Sequence, residues 1–277
     1  MKRIKRIFVI FVFLALAFCY LFVKLYKLPT TPSEEETIVE ETKQEEKTPW
    51  ELNKEINEDY VGDIAFESNL INMPFVCPNK GVEEYTIYTY PGNIVRDYSS
   101  ECEGGACTGN DVYMRTDWQS REYHAGGSIF MDYRNSLDDQ NIILYGHNYI
   151  TELDPNREFF FTPLEFLLEE EYYQENKYIN IVLKDEVRRY EVAYVYIFNP
   201  NSSDYEDLQY YRTNYEYDFY GDEDEGYYQT YIDNMEEAKL YDTSVKLTVN
   251  DRTLTLQTCV EGTDCVEIVV AKDITNN

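Results

Sequence analysis

Two histidines stand in 277 residues, and no arginine occurs after Cys259. The first scarcity argues against a zinc centre, because neither His124 nor His147 has ligand-like spacing to a cysteine. Positive charge is scarce as well: 24 Lys and Arg face 53 Asp and Glu, a formal net charge of -29. A chain so acidic repels phosphate backbones, which sets nucleic acid aside as a partner. Calcium would suit the charge, but no ordered loop of ligand spacing supports it, so neither a metal nor an organic cofactor is expected.

Long apolar runs are confined to one place. Ile7 to Val23 reads IFVIFVFLALAFCYLFV, flanked by Lys5-Arg6 and Lys24. That is the short end of a membrane span. Four basic residues precede it, which puts a short N-terminus in the cytoplasm and the body outside the cell membrane. A cleaved signal peptide is the competing reading, through Ala15-Leu16-Ala17. The apolar run continues past Ala17, which favours an uncleaved single-pass anchor in residues 1–28, with the lipid bilayer as partner. Residues 29–47 hold prolines, threonines and seven glutamates with almost nothing to bury. They read as an acidic tether.

Residues 48–277 read as the folded domain. Thr48-Pro49-Trp50-Glu51 supplies a helix start, with Thr as N-cap, Pro in the first turn and Glu three residues after the cap. Short apolar runs then alternate with turn residues. Strands are expected near 64–66, 73–76, 128–131, 141–145, 178–182, 189–198, 246–249, 253–258 and 266–271. Helices are expected at 161–171 and 227–239. Many strands with few helices point to a mainly β, closed or nearly closed barrel with peripheral helices. Two stretches look like insertions. Residues 77–110 carry Cys77, Cys102 and Cys107, the last two spaced to close a small loop; residues 202–228 are rich in Tyr, Asp and Glu.

The chemistry-bearing residues are few. Alternating Thr253-Leu254-Thr255-Leu256-Gln257-Thr258 leads directly into Cys259. A strand would thereby hold a thiol rigidly at its tip, and a reactive thiol needs a base or cation beside it, usually imidazole. His124 lies in the polar SREYHAGG and reads as a surface residue. His147 follows the buried-looking NIILYG, which places it at a strand end.

NIILYGHNY, followed far downstream by LTLQTC, resembles the paired signature of sortases, membrane-anchored cysteine transpeptidases. GGSIFMDYRN and INEDYVGDIAF resemble class B members in particular. The likeness runs from about Trp50 to Ile274. It implies an eight-stranded sortase-like β-barrel with an N-terminal helix and one or two further helices. It implies Cys259 as nucleophile, attacking a Thr carbonyl in the C-terminal sorting signal of a secreted surface protein, and His147 as acid/base. An amine from a peptidoglycan precursor or a pilin-like protein would then resolve the thioacyl intermediate. Thr258 and Asn148 fall where the substrate or its oxyanion would be held.

One departure stands out. Sortases carry an arginine on the strand after the cysteine, and the matching position here is Val266; a shift of one offers Cys265 or Glu267. Loss of one oxyanion donor costs about 3–4 kcal/mol in other enzymes. Three accounts follow: an active enzyme whose cation is Arg115, Arg121 or Lys272, an impaired binding module for surface proteins, or a redox protein pairing Cys259 with Cys265. Retention of both Cys259 and His147 favours the first. Tyr149, where many class B relatives have methionine, would alter the wall beside His147.

Overall fold

The structure is a computed structural model, and it describes residues 47–78, 88–90, 94–96, 110–122, 124–133, 135–148, 160–199 and 222–276. The apolar stretch at 7–23, the acidic tether up to residue 46, Cys102, Cys107, Tyr149 and most of both expected insertions lie outside the described residues.

Helix α1 (Pro49–Ile56) begins as its sequence dictates. The Thr48 side chain accepts from the Glu51 N–H, and the Glu51 carboxylate accepts from the Thr48 N–H, closing a capping box. The helix buries no residue of its own. It is tied to the next strand instead: the Trp50 indole donates to Val61 O at 3.0 Å and Lys54 Nζ donates to Tyr60 O at 2.8 Å.

Strands β1 (Tyr60–Phe66), β2 (Asn72–Val76), β5 (Ile129–Met131), β6 (Asn141–Tyr145), β7 (Tyr178–Val182), β8 (Val187–Phe198), β9 (Thr253–Cys259) and β10 (Val266–Asp273) close into a barrel in the order β1-β2-β5-β6-β9-β10-β8-β7. The eight-stranded closed barrel expected from the sequence is therefore what forms. Strands β3 (Tyr88–Tyr90) and β4 (Ile94–Arg96) make a separate two-stranded ribbon. Two contacts of the barrel are parallel, β2 with β5 and β6 with β9. The interior is filled by alternate residues of each strand, among them Ile64, Phe75, Ile142, Leu144, Leu254, Leu256 and Val269. In β1 every second residue is buried, and Gly62 is one of them; a Cβ there would sit 2.3 Å from Val182 O.

Strand β10 is buried without alternation from Val266 to Ala271 because both of its faces are covered. Val269 and Ala271 join the interior, whereas Val266, Ile268 and Val270 lie in the cluster formed with helix α4 (Asp222–Ala238). The helix meets them with Tyr228, Tyr231, Ile232 and Met235, spaced i, i+3, i+4 and i+7.

Three sequence expectations are corrected. Residues 246–249 form no strand: Leu247 packs into the α4 cluster, but Thr248 turns back onto Asp251 through its N–H and its hydroxyl. The expected helix at 161–171 is a 3-10 helix, Thr162–Leu168, followed by α3 (Glu170–Asn176), the break coming at Glu169, whose backbone is extended. The third correction is to localisation as a single-pass membrane protein. Among the described residues no helix is long and apolar enough to cross a membrane, and the longest, α4, has 17 residues of which seven are acidic.

Candidate active site

The parallel contact between β6 and β9 builds the site. Tyr145 stands beside Gln257, and Gly146 N donates to Gln257 O at 3.2 Å, carrying the ladder one residue further. Two residues beyond this pair come His147, past the end of β6, and Cys259, the last residue of β9. Alternation sends Leu256 and Thr258 inward and leaves Cys259 exposed at the strand end. Glycine is required before the histidine because a Cβ at 146 would come within 2.8 Å of the Phe161 ring, whose own N–H donates to His147 O.

Both side chains line one cleft of about 260 Å³, together with Asn110, Met114, Phe130, Tyr145, Gly146, Gln257 and Thr258. Its wall is fixed from behind by Asp132, which is fully buried. The carboxylate accepts from Asn110 Nδ2 and from the Tyr145 hydroxyl, each at 3.0 Å. Helix α2 (Asp111–Met114) supplies Met114, whose carbonyl lies 2.9 Å from His147 Nε2. A carbonyl can only accept, so Nε2 carries the proton and Nδ1 is the basic nitrogen of the neutral ring. Desolvation pulls the imidazole below its ordinary pKa; the nearby Arg115 charge adds to this, and the bond to Met114 opposes it. The resting ring at neutral pH is therefore uncharged.

The other residues singled out from the sequence are dispersed around this pair. Thr258 is buried and Asn148 half-buried, and their side-chain polar atoms have no hydrogen-bond partner among the described residues; only Thr258 reaches the cleft. Val266 pairs directly with Cys259 across the β9–β10 ladder, but it is 8 % exposed and packed into the α4 cluster. Lys272 pairs with Thr253 at the opposite end of β9, bonded to Asp251 and to Lys246 O. Arg121 is exposed, and Arg115, half-buried, donates to Ala125 O at 2.7 Å. None of the three lines the cleft, and Arg115 is the one whose charge His147 feels. His124 is exposed, its ring 5.6 Å from that of Phe160.

Cys265 is placed unfavourably for pairing with Cys259. Val260 N donates to Cys265 O while Cys259 faces Val266, so successive residues put the two sulfurs on opposite faces of the ribbon. A disulfide would require the backbone to move, and both thiols are free. The sequence reading missed the cleft walls Tyr145 and Gln257, although each lies two residues before a singled-out residue and strand periodicity assigns them the same face.

Sequence and fold comparisons point one way. The chain is 32% identical over 170 residues to sortase B of Staphylococcus aureus (strain NCTC 8325 / PS 47), covering 60% of this chain. The match spans 62% of that relative's length. The X-ray structure of Clostridium perfringens sortase B superposes with a TM-score of 0.58 at 27% identity, covering 81% of this chain and 98% of that one. By sequence and by fold the chain is similar to class B sortases. The Staphylococcus aureus sortase B–substrate complex is similar to the same degree, with a TM-score of 0.58, 27% identity, and coverage of 82% of this chain and 85% of that one. No family model matches this sortase-like chain.

Proposed function

We propose that residues 48–277 form a cysteine transpeptidase, which cleaves a C-terminal sorting signal through a thioacyl intermediate on Cys259 and passes the acyl group to an amine. The observation that carries this reading is that His147, two residues past the end of β6, and Cys259, the last residue of the adjacent parallel β9, line one cleft. Likeness to a sortase B solved as a substrate complex supports a sorting-signal peptide as the occupant.

The steps follow from the tautomer. The neutral Nδ1 of His147 takes the Cys259 proton as sulfur attacks the scissile carbonyl, forming the C–S bond and an oxyanion. The imidazolium returns that proton to the leaving amine as the C–N bond breaks, leaving a thioester. An incoming amine, from a cell-wall precursor or a pilin-like protein, then attacks the thioester. Its proton passes to His147 and on to the departing thiolate, which restores the starting state. The apolar wall of Met114, Phe130 and Tyr145 would exclude water from the thioester and favour amide formation over hydrolysis. Asn148 and Thr258 are the proposed polar contacts to the peptide, and Arg115 is the proposed long-range cation.

A second reading, an impaired module that binds surface proteins, is favoured by Val266 standing where an oxyanion-binding arginine would face Cys259. The two separate by mass spectrometry. The protein is mixed with a pool of sorting-signal peptides and a peptide amine. A transferred product supports the enzyme, whereas bound peptide with neither transfer nor cleavage supports the module.

A further inference from the structure

Three acids are buried among the described residues, and two are satisfied. Asp132 is held as above, and Asp59 accepts from the Tyr113 hydroxyl at 2.8 Å. Glu267 is different. It is 0 % exposed, and neither carboxyl oxygen has a hydrogen-bond partner among the described residues. Its place is specific: on β10 it stands directly beside Thr258 of β9 and Ile197 of β8, pointing inward with Val269 and Ala271. Thr258 is the residue bonded to Cys259, and its hydroxyl is also unpaired. Directly opposed residues on one face of a ladder have Cβ atoms about 5 Å apart, so a rotation of the longer side chain brings carboxyl to hydroxyl.

We propose that Glu267 is a positioning residue for the tip of β9: as a neutral acid it is the donor for Thr258 Oγ, and ionisation releases the β9–β10 corner that carries Cys259. Its link to catalysis rests on the transpeptidase reading; its link to the corner does not. No cation faces it. The groups that do are Glu165 of the 3-10 helix and Tyr241 of the segment after α4, and Tyr241 is in turn approached by Tyr173 and Glu170. Burial first, then the Glu165 charge, pushes the carboxyl up to about 8.

The sign follows from linkage. A released Glu267 titrates at its ordinary value near 4.5, a locked one near 8. Between those values the open corner binds fewer protons, so rising pH favours opening, by up to about tenfold per pH unit, with a plateau above pH 8. A neutral buried carboxyl is mimicked by glutamine, which makes Glu267→Gln the informative variant. Amide exchange across residues 254–268, corrected for intrinsic pH dependence, is compared for wild type and Glu267→Gln from pH 5.5 to 7.5. Wild-type protection is expected to fall by up to about a hundredfold and the variant's to stay level. Equal pH dependence in the two proteins would overturn the proposal. So would a glutamine variant that fails to fold, since it preserves the shape of the neutral acid. In the transfer assay the variant should hold its rate to pH 9 where the wild type declines; matching profiles would sever Glu267 from the thiol. Absence of transfer in both proteins counts against the transpeptidase reading and leaves the exchange result to decide the corner.

Discussion

His147→Ala is expected to slow peptide transfer by a factor of about 100 to 10,000, the usual range for a positioned acid/base, with the fold retained. The side chain is half-buried at the cleft, with Nε2 bonded to the Met114 carbonyl. The loss should fall on kcat, because the imidazole moves protons in both half-reactions and adds little to peptide binding. The pH profile carries a second signature. Desolvation and Arg115 hold the imidazole below its ordinary 6.5, so the neutral base survives to lower pH. The acid limb of the wild-type profile is therefore expected below pH 6.5, and it should vanish in the alanine variant. Unchanged kcat on loss of the imidazole would remove His147 from the mechanism.

Gly127→Ala is the second large effect, and it acts at a distance from the thiol. Gly127 adopts a φ of +56°, and a Cβ there would lie 2.3 Å from Tyr113 O and 2.5 Å from Met114 O. Neither carbonyl is a flexible side chain that swings aside. Met114 O is also the acceptor that holds His147 Nε2. The substitution combines a strained backbone with overpacking, together about 2–4 kcal/mol of lost stability. It should also displace the histidine's anchor, so that transfer falls further than stability alone explains. Thermal unfolding and kcat measured on the same preparation separate the two. A variant with lowered stability but unaltered kcat would show that Met114 O does not position the imidazole.

Why some of this was legible in the sequence and some was not has physical reasons. Strand periodicity is local, so NIILY and TLTLQT declared both their strands. The family likeness of YGHN and TLQTC supplied the closure of the barrel. Non-local packing stayed hidden. Residues 246–249 alternate like a strand, but Leu247 is drawn into the cluster under α4 and Asp251 claims Thr248. Asn110 and Met114 enter the cleft only because α2 is folded over β5 and β6, which no short-range pattern announces. Glu267 was visible as an acid within an apolar run, CVEIVVA, yet was noted only as a neighbour of the position that lacks the arginine. Its burial on the inner face became apparent once the ladder with Thr258 was fixed. The apolar run at 7–23 carried the expected localisation, which the described helices do not support.

The central claim is that sulfur 259 carries the peptide. Quenching the protein with a sorting-signal peptide before any amine is added, then taking an intact mass and mapping the adduct, tests it directly. The account predicts an acyl adduct on Cys259 that is absent from Cys259→Ala and is discharged by amine. A peptide cleaved with no adduct on that residue, or cleaved equally well by Cys259→Ala, would contradict it.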